Sequence, residues 1–307
     1  YPWRFMRRDF MYAIETKALT KSYGKARGII DINLRIKEGE IYGFIGPNGA
    51  GKSTTIRLLL GLLFPSSGGG NIYGLDMVKD SSEIKKKVGF VPSEIYYYDN
   101  MTIKHLMEYS ARFYKVSVTQ RLKHLAEAFE LDLDRKIDDL SQGNKKKVAI
   151  IQSLLHQPRL LILDEPTSGL DPLIRNRFFD LLKEENARGI TVFFSSHVLS
   201  HVEKLCHRVA IIKEGKIINE DSISAIKEKS VSRVTYQLKS RTDTGLIQLE
   251  GVISPETSGN RITFLYQGDR IALLKNLSQL PIETITIEEP DLEEVFMHYY
   301  DVESKEI

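Results

Sequence analysis

The stretch GPNGAGKST, Gly46 to Thr54, decides how the rest of the chain is read. It fits G-x-x-x-x-G-K-[ST], with Gly46, Gly51, Lys52 and Ser53 at the fixed positions and Pro47, Asn48, Gly49 and Ala50 between them. The run before it, EIYGFI, reads as a buried strand. The run after it, TIRLLLGLLF, is apolar nearly all round and reads as a core helix. Gly49 and Gly51 can take positive φ, so the backbone can curl close to a phosphate. The loop N–H groups then form an anion nest at a helix N-terminus, where partial positive charge gathers. On this reading Lys52 reaches the β- and γ-phosphates of a nucleotide, and the Ser53 hydroxyl binds Mg²⁺. A plain glycine turn would not require four fixed residues and both flanks.

A second signal lies in RLLILDEP, Arg159 to Pro166. An unbroken apolar run ending in acid reads as a central parallel strand, and ligands bind at the carboxyl ends of such strands. Asp164 there can hold Mg²⁺ through its water shell, and Glu165 can act as general base on a water. The buried run ITVFFSS ends at His197, level with the glycine loop and within reach of a γ-phosphate. His197 and His201 are spaced i, i+4, but HVLSH lacks the glutamate of a zinc-protease helix and no third ligand is placed. His201 is therefore expected at the surface and Cys206 in the core. Asp171-Pro172 reads as a helix cap followed by a first-turn proline.

Between these signals, IIDINLRI, KEGE and IYGFI suggest a hairpin turning at Glu38-Gly39. PSSGGGN reads as a flexible connection, and KKKVGFV as a second parallel strand ending at Val91-Pro92. Tyr96 to Tyr98 cannot all face a core, so at least one is expected at a contact surface. Thr102 is expected to cap a helix with Ile103, Leu106, Met107 and Phe113 on its apolar side. Thr119 is expected to cap another, with Leu122, Leu125 and Phe129. A third starts near Ser141, and Lys145 to Lys147 near its start oppose the helix dipole, so they are expected to be solvated, with facing an anion as the alternative. RVAIIKEGKII reads as a hairpin at Glu214-Gly215 and SISAIKEK as a short helix. Strands VTYQLKS, TGLIQLEGV, NRITFLYQG and IETITIEE then alternate with helices DRIALLKNLSQL and DLEEVFMHYY in a separate α+β unit that carries no catalytic constellation.

The 307 residues allow one large domain and a small one. A net charge of +2 gives no ground for nucleic acid as a partner. The single cysteine excludes an internal disulfide and suits a reducing compartment. No apolar run approaches the roughly 18 residues of a membrane span, so a membrane role requires a partner. Residues 1–10, YPWRFMRRDF, precede Met11 and are expected to be a vector-derived leader; a basic-aromatic surface anchor is the alternative.

The P-loop, LSQGN (Leu140 to Asn144), LILDEP, SGLD and SSH stand in one order, and that order resembles the nucleotide-binding domain of ABC transporters over roughly residues 13 to 220. The resemblance implies an α/β P-loop ATPase domain at 11–220, with an antiparallel β subdomain and a helical subdomain at about 92–158. A small α+β accessory domain follows at 221–307. It implies that Tyr23 stacks on adenine, Gly46 to Thr54 form the Walker A loop, Asp164 is the Walker B acid and Glu165 the catalytic glutamate. Asp171 would be the loop acid that crosses to the other subunit, and His197 the switch histidine. Ser141 and Gly143 would bind the γ-phosphate held by the opposite subunit. Two positions depart from the pattern: Gln142 and Asn144 replace Gly and Gln of LSGGQ, and Ser93, with Glu94 next to it, stands where the Q-loop glutamine would approach Mg²⁺. Both variants, and the tail EEPDLEEVFMHYY, resemble bacterial exporter ATPases of the drug and antibiotic efflux type.

The expected function is an ATP-binding and ATP-hydrolysing subunit at the cytoplasmic face of the membrane. Two copies, or one copy and a paralogous subunit, would close around ATP with Mg²⁺ and drive a separate membrane permease, docked at a groove including Ser93 to Tyr98. A soluble ABC-type ATPase acting on ribosomes or DNA is the alternative; a single ATPase unit without sustained heptads argues against it. A P-loop GTPase or small-molecule kinase would have no use for the signature and histidine motifs. The accessory domain is expected to stabilise the dimer or regulate it, with Glu288, Glu289, Asp291, Glu293 and Glu294 as a solvated face.

Overall fold

The computed structural model describes residues 12–97, 100–114, 117–228, 232–239 and 249–288. The leader, Tyr98, most of TGLIQLEGV, Glu289 and the acids beyond it, and the DLEEVFMHYY helix lie outside the described residues.

Strand β1 (Tyr12–Tyr23) pairs antiparallel with β2 (Ala26–Ile32) and β3 (Arg35–Lys37). Gly39 then turns the chain at φ 75°, and β4 (Ile41–Ile45) follows. The expected hairpin does not form here, because β3 and β4 enter different sheets. All five residues of β4 are buried, which suits a strand covered on both faces in a parallel sheet. The nearly buried Glu40 carboxylate anchors the change of direction, accepting the Lys37 N–H at 2.9 Å and pairing with Arg208 at 3.1 Å.

Helix α1 (Lys52–Leu59) buries Ile56, Leu58 and Leu59 but is shorter than its apolar run. Gly61 adopts φ 62°, and Leu62 and Phe64 beyond it are 53% and 68% exposed. PSSGGGN is not a flexible connection: β5 (Ser67–Ile72) pairs antiparallel with β1 on one side and β6 (Leu75–Asp76) on the other. Its glycines let two backbones meet, since a Cβ on Gly68 would lie 2.0 Å from the Ala18 carbonyl oxygen. Helix α2 (Ser81–Lys85) leads to β7 (Val88–Val91).

The middle of the chain is helical. In α3 (Ile103–Tyr114) the Thr102 hydroxyl accepts the His105 N–H at 3.2 Å, and Ile103, Leu106 and Met107 are buried. Phe113 is instead 68% exposed and edges onto Tyr109. Helix α4 (Thr119–Ala128) buries Leu122 and Leu125, but Thr119 lies within it and Val118 holds the cap position without a side-chain bond. Helix α5 (Gln142–Leu154) begins after Ser141, whose Oγ accepts the Asn144 N–H at 3.3 Å. Lys145 and Lys147 are half-buried, whereas Lys146 is 4% exposed, so the solvated reading of the basic run fails at its centre.

The remaining elements of this unit are β8 (Leu160–Asp164), α6 (Pro172–Ala187), β9 (Thr191–Ser196), α7 (Leu199–Leu205), β10 (Arg208–Lys213) and β11 (Lys216–Ser222). The sheet order is β11-β10-β4-β9-β8-β7, with β10 through β7 all parallel. Glu214 and Gly215, both at positive φ, close the β10–β11 hairpin. His201 is not a surface residue. It is half-buried, its ring edges onto Phe179, and its Nδ1 lies 3.2 Å from the Thr167 hydroxyl.

The chain divides into two compact units, at Glu220/Asp221. The second holds α8 (Ile223–Glu228), β12 (Ser232–Leu238), β13 (Val252–Ser258), β14 (Arg261–Tyr266), α9 (Arg270–Leu277) and β15 (Ile282–Glu288). Its antiparallel sheet runs β13-β14-β12-β15 over a core of Tyr236, Phe264, Leu273 and Leu277. Strand β13, VISPETS, carries a proline and was not expected as a strand. No helix among the described residues is long and apolar enough to cross a membrane.

Candidate nucleotide site

Four neighbouring parallel strands deliver the site from their carboxyl ends. β4 ends in the glycine loop, β9 at His197, β8 at Asp164 and Glu165, and β7 at Pro92 and Ser93. Register aligns them, since Ile45 pairs with Ser196, and Ser195 with Asp164. The cleft has a volume of about 390 Å³ and is lined by Asn48, Gly49, Gly51, Lys52, Ser53, Thr54, Ser93 and Glu165, together with Gly28 from β2.

The loop is built for close approach. Gly51 precedes α1 at φ 113°, and a Cβ there would lie 2.6 Å from Ile29 Cγ2. Gly46 is buried behind the loop, Ala50 turns its methyl into the core, and Pro47 is exposed. Lys52 is 6% exposed and folds back on its own loop, donating to the Gly46 carbonyl at 2.6 Å and the Pro47 carbonyl at 3.1 Å. Its Nζ also lies 3.3 Å from Glu165 Oε1. The other oxygen of Glu165 lies 2.9 Å from His197 Nδ1. The Glu165 carboxylate thus sits between an ammonium and an imidazole, on a backbone at φ 47° that is unusual for a side-chain-bearing residue.

Asp164 is 3% exposed, and its Oδ1 accepts the Ser195 hydroxyl at 2.8 Å. The Ser195 Oγ also accepts the Glu165 N–H at 3.3 Å, so one hydroxyl orients both acids. Sequence reasoning passed over Ser195, although a serine inside a wholly buried strand was a usable signal. It also missed Gly28, which no motif marks, and Lys146.

Of the expected residues, Gly46, Pro47, Ala50, Asp164 and His197 adjoin the lining without forming it, and four others stand apart from the cleft. Tyr23, at the end of β1, is 43% exposed, with the Lys21 ammonium 5.5 Å from its ring centroid. Ser141 caps α5. Asp171 caps α6 and accepts the Ile174 N–H at 2.9 Å, a bond that lowers its pKa. Gly143 packs so closely on the loop before Asp171 that a Cβ would lie 2.6 Å from the Gly169 carbonyl oxygen. Ser141, Gly143 and Asp171 therefore belong to adjoining segments outside the cleft.

The residues fit a polyphosphate and its metal. Loop N–H groups, one buried ammonium and hydroxyls surround an open polar cleft. Oxygen ligands from Ser53, Asp164 and Ser93 suit Mg²⁺, which keeps several waters and takes phosphate oxygens. No group of three or more His, Cys, Asp or Glu among the described residues forms a metal site unaided.

Fold and site together define a P-loop ATPase cassette. Comparison with known proteins gives its family. Residues 29–168 match the ABC transporter family. The bacitracin transport ATP-binding protein BcrA of Bacillus licheniformis is 38% identical over 231 residues, covering 73% of this chain and 74% of that protein. The uncharacterized ABC transporter ATP-binding protein YhaQ of Bacillus subtilis (strain 168) is 31% identical over 294 residues, covering 91% of this chain and 95% of that one. The dimeric post-hydrolysis structure of the ATP-binding cassette MJ0796 with ADP and Pi superposes with a TM-score of 0.63 at 28% identity, covering 68% of this chain and 98% of that one. The chain belongs to the ABC transporter family, as an ATP-binding subunit that hydrolyses ATP.

Proposed function

We propose that the cleft binds ATP with Mg²⁺ and that Glu165 is the general base of hydrolysis. The observation that carries this reading is the Glu165 carboxylate suspended between Lys52 and His197. A γ-phosphate arriving at the loop competes for the Lys52 ammonium and frees one carboxylate oxygen to take a proton from the attacking water. His197 holds the other oxygen and lies beside the same phosphate. Ser53, Asp164 and Ser93 hold the Mg²⁺, which neutralises phosphate charge. Gly46, Pro47, Asn48, Gly49, Ala50, Gly51 and Thr54 supply the cradle. Tyr23, at the turn end of the β1–β2 hairpin that also carries Gly28, stacks on adenine.

Ser141, Gly143 and Asp171 complete the cleft of the opposite subunit, which is why they lie outside their own. The permease docks in the apolar groove of about 490 Å³ whose lining includes Ile95, Tyr96, Tyr97, Tyr109 and Phe113. Tyr96 there is 86% exposed, and its hydroxyl lies 3.2 Å from Glu94. The likeness to BcrA supports export as the direction of transport, with the subunit at the cytoplasmic face of the membrane. The second unit, from Asp221 on, is a dimer-stabilising or regulatory domain.

Steady-state ATPase measurement of Glu165→Gln tests the central assignment. Turnover is expected to fall about 10²–10⁴-fold, the usual contribution of a positioned base, while ATP-dependent dimerisation persists. Unchanged turnover would remove Glu165 from the role.

A further inference from the structure

Lys145 to Lys147 occupy the first two turns of α5, where the partial positive charge of the helix N-terminus disfavours ammonium groups. Lys146 is buried there all the same. A buried ammonium is unfavourable unless its N–H groups are met. Its Nζ donates to the Ser93 carbonyl at 2.9 Å and the Pro92 carbonyl at 3.0 Å, and lies 3.5 Å from the Glu165 carbonyl oxygen. Burial lowers its pKa below the ordinary lysine value, and the nearby Asp164 and Glu165 carboxylates only partly offset that desolvation. An apolar side chain would fill the space without that penalty, so packing alone does not account for the cation.

The three carbonyls share a location. Strands β7 and β8 make their last ladder pair at Val91 and Leu163, and beyond it the two chains part. Lys146 spans the gap. On one side Ser93 lines the nucleotide cleft, and the residues after it, Glu94 to Tyr97, line the apolar groove. On the other side stands Glu165, whose left-handed backbone persists only if its surroundings hold it. Lys146 itself follows the Ser141 cap by five residues.

We propose that Lys146 is a positioning residue for hydrolysis: its ammonium pins the groove loop at Ser93 to the backbone of Glu165, fixing the base for attack without contributing to ATP affinity. It also gives a displacement of the groove loop a direct path to the base. The proposal rests on Glu165 being that base.

The test uses the full chain in steady-state ATPase and ATP-dependent dimerisation assays, with Lys146→Met, Lys146→Arg and Glu165→Gln compared. Lys146→Met is expected to lower kcat about 10–100-fold, the scale of an ångström of misplacement, with KM for ATP unchanged within about twofold on the same argument. The ATP-bound dimer should accumulate, as in a hydrolysis-deficient variant, and Lys146→Arg should recover much of the turnover. A kcat unchanged in Lys146→Met overturns the inference. So does a loss of ATP binding and dimerisation in step with kcat, which marks a merely structural role. Should Lys146→Met fail to fold, Lys146→Gln, which keeps N–H donors without the charge, is read by the same criteria. Full turnover in Glu165→Gln removes the base assignment itself, whereas an inactive Glu165→Gln beside an unimpaired Lys146→Met removes only this inference.

Discussion

Ser195→Ala isolates the hydroxyl that joins the two acids. Ser195 is fully buried, and its Oγ donates to Asp164 Oδ1 at 2.8 Å. A hydrogen bond to a charged group contributes about 1.5–3 kcal/mol, and the carboxylate left behind is itself nearly buried. The bond from the Glu165 N–H adds little, because at 3.3 Å it is shared with the Ser195 carbonyl at the same distance. The expected loss is therefore about 2–3 kcal/mol, or roughly 4–12 °C in Tm for a domain of this size. Ser196→Ala is the internal control. Ser196 is equally buried, but its Oγ accepts the neutral Val198 N–H at 3.0 Å, so about 1 kcal/mol is expected. Thermal unfolding of the nucleotide-free protein, followed by circular dichroism, reads both. Equal losses in the two variants, or a Tm for Ser195→Ala within about 1 °C of the parent, would refute the reasoning that ties the cost to the Asp164 charge.

Two further outcomes follow from packing. Burial lowers the pKa of His156, stacked on Tyr114, from 6.5 to about 4, so the folded state favours the neutral ring. Its contribution is complete above pH 6.5 and is lost as pH falls from 6.5 towards 4, by up to about 3 kcal/mol; urea unfolding should show His156→Phe losing less stability over that range, and parallel curves would contradict it. Gly68→Ala places a Cβ 2.0 Å from the Ala18 carbonyl oxygen at φ +68°, and is expected to cost more than about 2 kcal/mol, read as a lowered urea midpoint; a wild-type midpoint would show that the β1–β5 contact yields.

The parallel sheet was legible because its strands announce themselves. IYGFI, LLILD and TVFFSS are buried along their whole length and stop where polar chemistry begins. The antiparallel region was not. Alternation in β3 says that one face is buried, not which sheet receives it, so a turn between two sheets looked like a hairpin. Glycine content misled at β5, where close backbone approach demands what composition presents as flexibility. Periodicity placed Phe113 and Phe64 in a core, although each lies on an exposed surface that an apolar stripe alone cannot distinguish from an interior. At Lys145 to Lys147 a rule about helix ends was applied to three residues alike. Successive helical residues are turned by about 100° from one another, so the middle one could face inward where its neighbours could not.

The arrangement around Lys52 gives binding and chemistry a common trigger. The ammonium meets two loop carbonyls and one oxygen of Glu165, and on the proposed reading this ion pair restrains the base. A γ-phosphate brings more negative charge to the same ammonium than a single carboxylate does. The exchange is therefore favourable and leaves Glu165 facing the phosphate with His197 still attached. On that same reading, the base becomes free only when its substrate has arrived. The same step loads the loop with anionic charge, which the exposed N-terminus of α5 at Ser141 is suited to meet from a second chain. On the proposed reading, closure of the dimer and release of the base are two consequences of one displaced ion pair.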